Sequence, residues 1–72
     1  MTAAVFARQL HQILAGSRSV DVIDQSDKVG VLCRRGADVY EYSIVTTNDV
    51  ARVKARHRVL DAARAFVASL KN

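Results

Sequence analysis

Two runs of alternating apolar residues, on either side of a short polar loop, constrain the fold of this chain more than any other feature. The runs are Lys28–Arg34 and Val39–Val45, and a four-residue loop is predicted at Arg35–Asp38. Closing that loop places Cys33 opposite Tyr40, Val31 opposite Tyr42 and Val29 opposite Ile44. All six side chains are apolar or aromatic and share one face, because successive side chains of a strand alternate between faces. The pattern predicts an antiparallel hairpin with one buried side.

The opposite face of this hairpin is mixed in character and is a candidate contact surface. It carries Leu32, Val39 and Val45 among polar residues that include Arg34 and Glu41. Single exposed apolar residues are normal on proteins. Three of them on one small sheet face favour a subunit interface in a chain that needs additional burial.

A first helix is predicted from Ala3 to Ala15, because apolar residues recur there at the spacing of one helical face. These residues are Phe6, Leu10, Ile13 and Leu14. Thr2 is positioned to act as the N-cap. Gly16 follows at the position where a left-handed C-terminal cap would need glycine.

A strand and a long helix complete the predicted fold. Ser19–Asp24 is predicted to be the first strand, and its Val20 and Val22 extend the apolar face of the hairpin. A helix over residues 48–70 follows N-cap oxygens, with Asp49 in its first turn, where the helix dipole favours an anion. The sequence therefore predicts an α+β fold: a single αβββα domain over residues 1–72, with a three-stranded antiparallel meander and both helices packed on one face.

Length and composition bound what such a domain can be. The chain has 72 residues, of which 50% are hydrophobic and 25% are charged, a balance typical of globular proteins. Since a domain of this size buries only about 60% of its unfolded surface, we expect a homodimer or another partner to add burial. Cys33 is the only cysteine, which excludes an intrachain disulfide and a four-ligand zinc site. With no apolar run near the roughly 20 residues of a membrane span and no signal-peptide pattern, we expect a cytoplasmic protein.

The long helix changes character along its length. In its C-terminal half, one apolar arc is predicted to face the core: Val59, Leu60, Ala63, Phe66, Val67 and Leu70. The same arc, extended towards the N-terminus, meets Arg52 and Arg56, and burying two unpaired guanidinium groups is prohibitive. Lys54 and Arg58 form a separate basic line beside them. Three interpretations remain: a helix end that overhangs the core in solvent, a dimer contact, or a contact with an acidic partner such as nucleic acid.

No residue pattern indicates an enzyme. Glu41 is the only glutamate, and the glycines are isolated instead of forming a phosphate-binding loop. The best nucleophile and base are Cys33 with His11 or His57, but the predicted register places the thiol on the core face, where a free cysteine is usually inert. We therefore expect no catalytic residue, no cofactor, no metal and no small-molecule substrate.

The αβββα order is similar to that of double-stranded-RNA-binding domains, which carry a lysine-rich cluster at the start of their last helix. This chain has Thr47, Asn48 and Asp49 at those positions, so the resemblance is confined to the order of the elements. Tyr40 and Tyr42 could stack on single-stranded bases, but the predicted register turns both towards the core.

These observations favour a non-enzymatic protein–protein interaction module, a homodimeric regulator or inhibitor of the kind found among phage and mobile-element accessory proteins. The predicted partner-binding residues are Arg52, Lys54, Arg56 and Arg58 on the last helix and Leu32, Arg34, Val39 and Glu41 on the outer sheet face. A net charge of +4 favours an acidic protein surface as the partner. The alternative is a nucleic-acid-binding protein that uses the helix residues, with Arg34 and Arg35, against phosphates.

Overall fold

The computed structural model of the protein describes residues 3–70 and has the αβββα order that the sequence predicts. The elements are α1 (Ala3–Ala15), β1 (Ser19–Asp24), β2 (Lys28–Arg35), β3 (Asp38–Val45) and α2 (Asp49–Leu70). The α+β fold class is confirmed. The predicted N-cap of α1, Thr2, lies outside the described residues. No helix within residues 3–70 is long and apolar enough to cross a membrane.

The three strands form one antiparallel sheet in the order β1-β2-β3. The predicted hairpin register is confirmed, with Cys33 opposite Tyr40, Val31 opposite Tyr42 and Val29 opposite Ile44. Val20 and Val22 of β1 lie opposite Cys33 and Val31, so they belong to the same face.

The loop between β2 and β3 is shorter than the four residues predicted. Arg35 and Asp38 pair as the last rungs of the ladder, which leaves Gly36 and Ala37 as a two-residue turn. Gly36 has a φ of 57°, in the left-handed region that glycine adopts without a steric penalty. A positive φ at the first turn residue alone is the pattern of a type II′ turn, which matches the twist of the strands it connects.

Both helices pack on the predicted apolar sheet face, and the core lies between them and β2. Its buried residues are Phe6, Leu10, Leu14, Val29, Val31, Cys33, Ala55, Val59, Ala62 and Phe66. Helix α2 lies over β1 and β2 and contacts α1 along its other flank. Helix α1 reaches β3, where the ring of Phe6 stacks on that of Tyr42 at 5.7 Å and the Tyr42 hydroxyl donates a hydrogen bond to Gln9 Oε1.

The buried face of α2 differs from the predicted arc. Ala55 and Ala62 face the core together with Val59 and Phe66, whereas Val67 and Leu70 are 46% and 61% exposed. The reason is the position of α1, since small alanine side chains allow the close approach of two helices. The apolar residues of α2 therefore divide between a buried face and an exposed one.

The two helix ends are capped in different ways. Asn48 Oδ1 accepts a hydrogen bond from the Ala51 N–H at 2.9 Å, which makes Asn48 the N-cap of α2. Gly16 does not have the left-handed conformation predicted for it, because Gly36 is the only described residue with a positive φ. Instead, Arg35 Nη2 donates to the Ile13 carbonyl at 2.8 Å and so caps α1 from the hairpin. Its guanidinium lies against Gly16, where a Cβ would crowd it at 3.1 Å.

Candidate interaction surfaces

Asp24, the last residue of β1, holds two arginines from the first turns of α2. Arg52 Nη2 donates to Asp24 Oδ1 at 2.7 Å, and Arg56 Nε donates to Asp24 Oδ2 at 2.8 Å. Arg52 Nε also donates to the carbonyl of Gln25 at 3.1 Å. The two arginines lie one helical turn apart, so their side chains reach the same carboxylate. None of the three sequence-based interpretations included this arrangement, in which the acidic group belongs to the same chain.

The other two basic residues predicted on α2, Lys54 and Arg58, are not held by a carboxylate in this way. Lys54 is exposed and Arg58 is half-buried. Neither side chain makes a hydrogen bond or an ion pair within the described residues 3–70. The four basic residues named from the sequence therefore separate into a paired set, Arg52 and Arg56, and an unpaired set.

On the outer face of the sheet, the structure places the four predicted residues together on β2 and β3. Leu32 is half-buried, Arg34 is exposed and Val39 is 50% exposed. Glu41 forms a salt bridge with Lys28, with 3.2 Å between Oε2 and Nζ. The hydrogen bond from Lys28, followed by one from the Ser43 hydroxyl at 3.0 Å, lowers the pKa of Glu41 from its ordinary value of 4.5.

A third surface lies on the outer side of α2, and all of its residues except Val53 were assigned to the core by sequence reasoning. Its apolar residues are Val53, Leu60, Ala63, Val67 and Leu70, called here the α2 seam. Val53, Leu60 and Val67 are seven residues apart, and Ala63 and Leu70 each follow three residues later. This is the a and d spacing with which one helix packs against another. The signal was visible in the sequence but was merged there with the buried positions.

The α2 seam has a depression at its centre, where the small side chain of Ala63 lies between larger ones. An open hollow of about 380 Å³ is lined by Leu60, Ala63, Arg64, Val67 and Ala68. Residues at i, i+3, i+4 and i+7 surround the hole into which a knob from a facing helix inserts. Leu60, Ala63, Arg64 and Val67 have this spacing. The hollow therefore lies where a side chain of a facing helix would insert between these four residues.

The α2 seam lies on the flank of α2 away from α1. A crevice between the two helices is lined from α2 by Ala62, Ala65 and Phe66, and at about 100° per residue Val67 lies roughly opposite Ala65. Because α1 lies towards β3, the seam faces the free edge of the sheet at β1, where Val22 is 40% exposed. Apolar surface thus continues from the helix towards the first strand.

Two arginines, Arg56 and Arg64, border the α2 seam. Arg64 borders the hollow and is 75% exposed, with its Nη1 3.9 Å from Asp61 Oδ1. Arg56 borders the N-terminal end of the seam and shares its carboxylate partner with Arg52. An apolar segment flanked by carboxylates is the complementary ligand for such a surface.

The residues considered as catalytic candidates from the sequence are either buried or close to another side chain. Cys33 is fully buried, and His57 is 75% exposed, with Nε2 3.4 Å from Asp61 Oδ2. Within residues 3–70, no cluster of three or more potential metal ligands is found. Comparison of the chain with known protein families, curated proteins and solved structures finds no match.

Proposed function

We propose that this protein is a non-enzymatic, homodimeric interaction module that binds an acidic amphipathic helix of another protein in the α2 seam. The observation that carries the proposal is the exposed hole formed by Leu60, Ala63, Arg64 and Val67. A small domain that binds in this way acts as a regulator or inhibitor of its partner, and the cytoplasmic location expected from the sequence is part of the proposal.

A helix is the occupant that fits the pattern best. The seven-residue repeat of Val53, Leu60 and Val67 follows one face of α2 along four turns, and only another helix presents side chains in matching register along that length. Val53 and Val67 are 62% and 46% exposed, so docking would remove substantial apolar surface from water.

The charges around the α2 seam support an acidic partner over a second α2. Two α2 helices packed through their own seams would bring Arg56 and Arg64 of both copies together, and like charges in an interface are unfavourable. A glutamate flanking the apolar face of a partner helix would instead pair with Arg64, which is 75% exposed and 3.9 Å from Asp61, whereas Asp24 already holds Arg56.

The nucleic-acid alternative has weaker support. Asp24 accepts hydrogen bonds from both Arg52 and Arg56, and Asp49 stands in the first turn of α2. Lys54 and Arg58 are the remaining helix residues of the predicted phosphate site. A patch with this little uncompensated charge predicts a shallow dependence of phosphate binding on salt.

Fluorescence anisotropy with a designed peptide tests the proposal. The probe is a labelled helical peptide of about three heptads, with leucine at positions a and d and glutamate beside them. A second peptide replaces each glutamate with lysine. The protein variants are Val67→Ser and Ala63→Leu, which respectively remove apolar contact and fill the hole. Val50→Ser is the matched control, since Val50 is 65% exposed on the same helix but outside the α2 seam. Circular dichroism confirms that each variant is folded.

We expect the acidic peptide to bind and the lysine peptide to bind more weakly. Val67→Ser weakens binding about tenfold, as expected for the loss of a buried valine side chain, and Ala63→Leu weakens it at least as much. Val50→Ser leaves it unchanged. Equal affinity for all four proteins would refute the assignment of the α2 seam. Binding of a labelled DNA duplex that weakens steeply with salt, without peptide binding, would favour the alternative.

A further inference from the structure

Strand β3 is an edge of the sheet that lacks the features with which proteins commonly protect an edge strand. It is one of the two outer strands, and its eight residues, Asp38–Val45, include neither proline nor a basic residue. Proteins commonly protect such edges with lysine, proline or a bulge, because the free N–H and C=O groups invite another strand. The register of β3 with β2 is continuous over all eight residues, so no bulge interrupts it.

The backbone groups that β3 offers can be identified from the turn. A two-residue turn makes Arg35 and Asp38 the hydrogen-bonded pair that closes the hairpin. Hydrogen-bonded and non-hydrogen-bonded pairs alternate from there, so the backbone groups of every second residue point to the open edge. These residues are Val39, Glu41, Ser43 and Val45. Among residues 3–70, no other element donates to or accepts from these groups.

The sequence of β3 is self-complementary about Tyr42. In an antiparallel pair of β3 strands with a two-fold axis at Tyr42, the opposed residues are Val39 with Val45, Tyr40 with Ile44 and Glu41 with Ser43 of the second copy. Apolar residues then lie opposite apolar residues on both faces. The outward-pointing backbone groups meet in hydrogen-bonded pairs, as the alternation requires.

Other pairings are less favourable. Moving the axis to Glu41 would place the two carboxylates directly opposite each other, and moving it to Ser43 would place Glu41 opposite Val45. The other edge, β1, has only six residues, and an axis at Val22 would put Asp24 opposite Val20. The Asp24 carboxylate is also held by arginines of α2.

We infer that two copies of this protein join edge to edge through β3, with the two-fold axis at Tyr42, to form one six-stranded antiparallel sheet. This inference rests on the proposed function, because it specifies how the two copies of the proposed homodimer join. Val39 and Val45, which are 50% and 78% exposed in one copy, cover each other across the axis. The two α2 seams then lie at opposite ends of the sheet, beside the β1 edges, so one dimer holds two partner helices.

A charge swap at two exposed positions tests the register itself. Position 39 lies opposite Arg34 and position 45 lies opposite Lys28 within the chain. Val39→Glu combined with Val45→Glu therefore adds favourable pairs inside each copy but opposes two carboxylates at each of two positions across the axis. Val39→Glu combined with Val45→Lys has the same number of substitutions and opposes a carboxylate with an ammonium group across the axis. Its new lysine also faces Lys28 within the chain, so any recovery of dimerisation comes from the pairs across the axis. Sedimentation velocity gives the mass, and thermal unfolding confirms that both variants are folded.

We expect the wild-type protein to sediment as twice 7.9 kDa. The double glutamate variant raises the dimer dissociation constant about tenfold or more, since two cross-strand pairs become repulsive, and the glutamate–lysine variant restores dimerisation. Backbone N–H groups of Val39, Glu41, Ser43 and Val45 exchange slowly with deuterium only in dimeric samples. A dimer that is indifferent to both variants refutes the β3 pairing alone. A wild-type monomer at every concentration also removes the dimer from the proposed function, while peptide binding to the α2 seam is measured independently.

Discussion

Replacing Asp24 with asparagine removes the charge that joins the end of β1 to the start of α2. The substitution keeps the size of the side chain and one acceptor oxygen. It abolishes the ion pairs with Arg52 and Arg56, whose nitrogen–oxygen distances are 2.7 and 2.8 Å. Both arginines then face a neutral group at the point where α2 begins to pack on the sheet.

The size of the effect follows from the exposure of the three side chains. They are 28% exposed for Asp24, 34% for Arg52 and 51% for Arg56, so solvent screens both pairs and each contributes about 0.5–1 kcal/mol. Retention of one hydrogen bond by asparagine leaves an expected loss of about 1–1.5 kcal/mol in the free energy of unfolding. In a domain of this length, that loss lowers the melting temperature by about 5–10 °C.

Urea unfolding followed by circular dichroism measures the loss, at low salt and again in 1 M sodium chloride. We expect the difference from wild type to shrink at high salt, because added ions screen partly exposed charges. Asp27→Asn is the matched control, since Asp27 lies three residues later, in the turn that follows β1, and its carboxylate has no partner within residues 3–70. A loss below about 0.3 kcal/mol, or an equal loss in the control, would refute a structural role for the Asp24 pairs.

Three further substitutions test other parts of the structure by urea unfolding. Gly30→Ala should cost about 2 kcal/mol, because a Cβ there would overlap the Tyr42 carbonyl oxygen; an unchanged midpoint would contradict this. Thr46→Val should stabilise by about 1 kcal/mol, because Thr46 Oγ1 is buried without a hydrogen-bond partner among residues 3–70; destabilisation would instead show that the hydroxyl is satisfied. Glu41→Gln should remove part of the pH dependence of the free energy of unfolding. Since Lys28 lowers the pKa of Glu41 in the folded protein, their interaction stabilises above the ordinary value of 4.5 and is lost as pH falls through the lowered pKa. Identical pH profiles for the variant and wild type would contradict that linkage.

The sheet could be predicted from the sequence because its register is a local property. The alternation of apolar and polar residues on both sides of residues 35–38 determines which side chains share a face. A shift of one residue in the strand register would have moved all of the apolar side chains to the solvent face. The predicted length of the turn was wrong because Arg35 and Asp38 are polar and resemble loop residues. Their pairing depends on Gly36, whose positive φ at the first turn position allows a two-residue connection.

The orientation of α2 could not be obtained in the same way. Alanines at positions 55 and 62 and larger residues at 60 and 67 offer two apolar faces, and the face with the alanines is the buried one, where Ala62 lies beside α1. The Asp24 pairs join residues 28 and 32 positions apart, beyond any local pattern. The only signal for them was the presence of Arg52 and Arg56 one turn apart, beside a predicted buried arc.

The stoichiometry of the complex with the labelled acidic peptide tests the central claim most directly. Sedimentation velocity, recorded at the absorbance of the label and again by refractive index, reports which species carries the peptide and how many copies it holds. The proposed architecture predicts two peptides bound to a protein dimer of twice 7.9 kDa, one at each α2 seam. Peptide that does not sediment with the protein, or that sediments with a protein monomer, would contradict it.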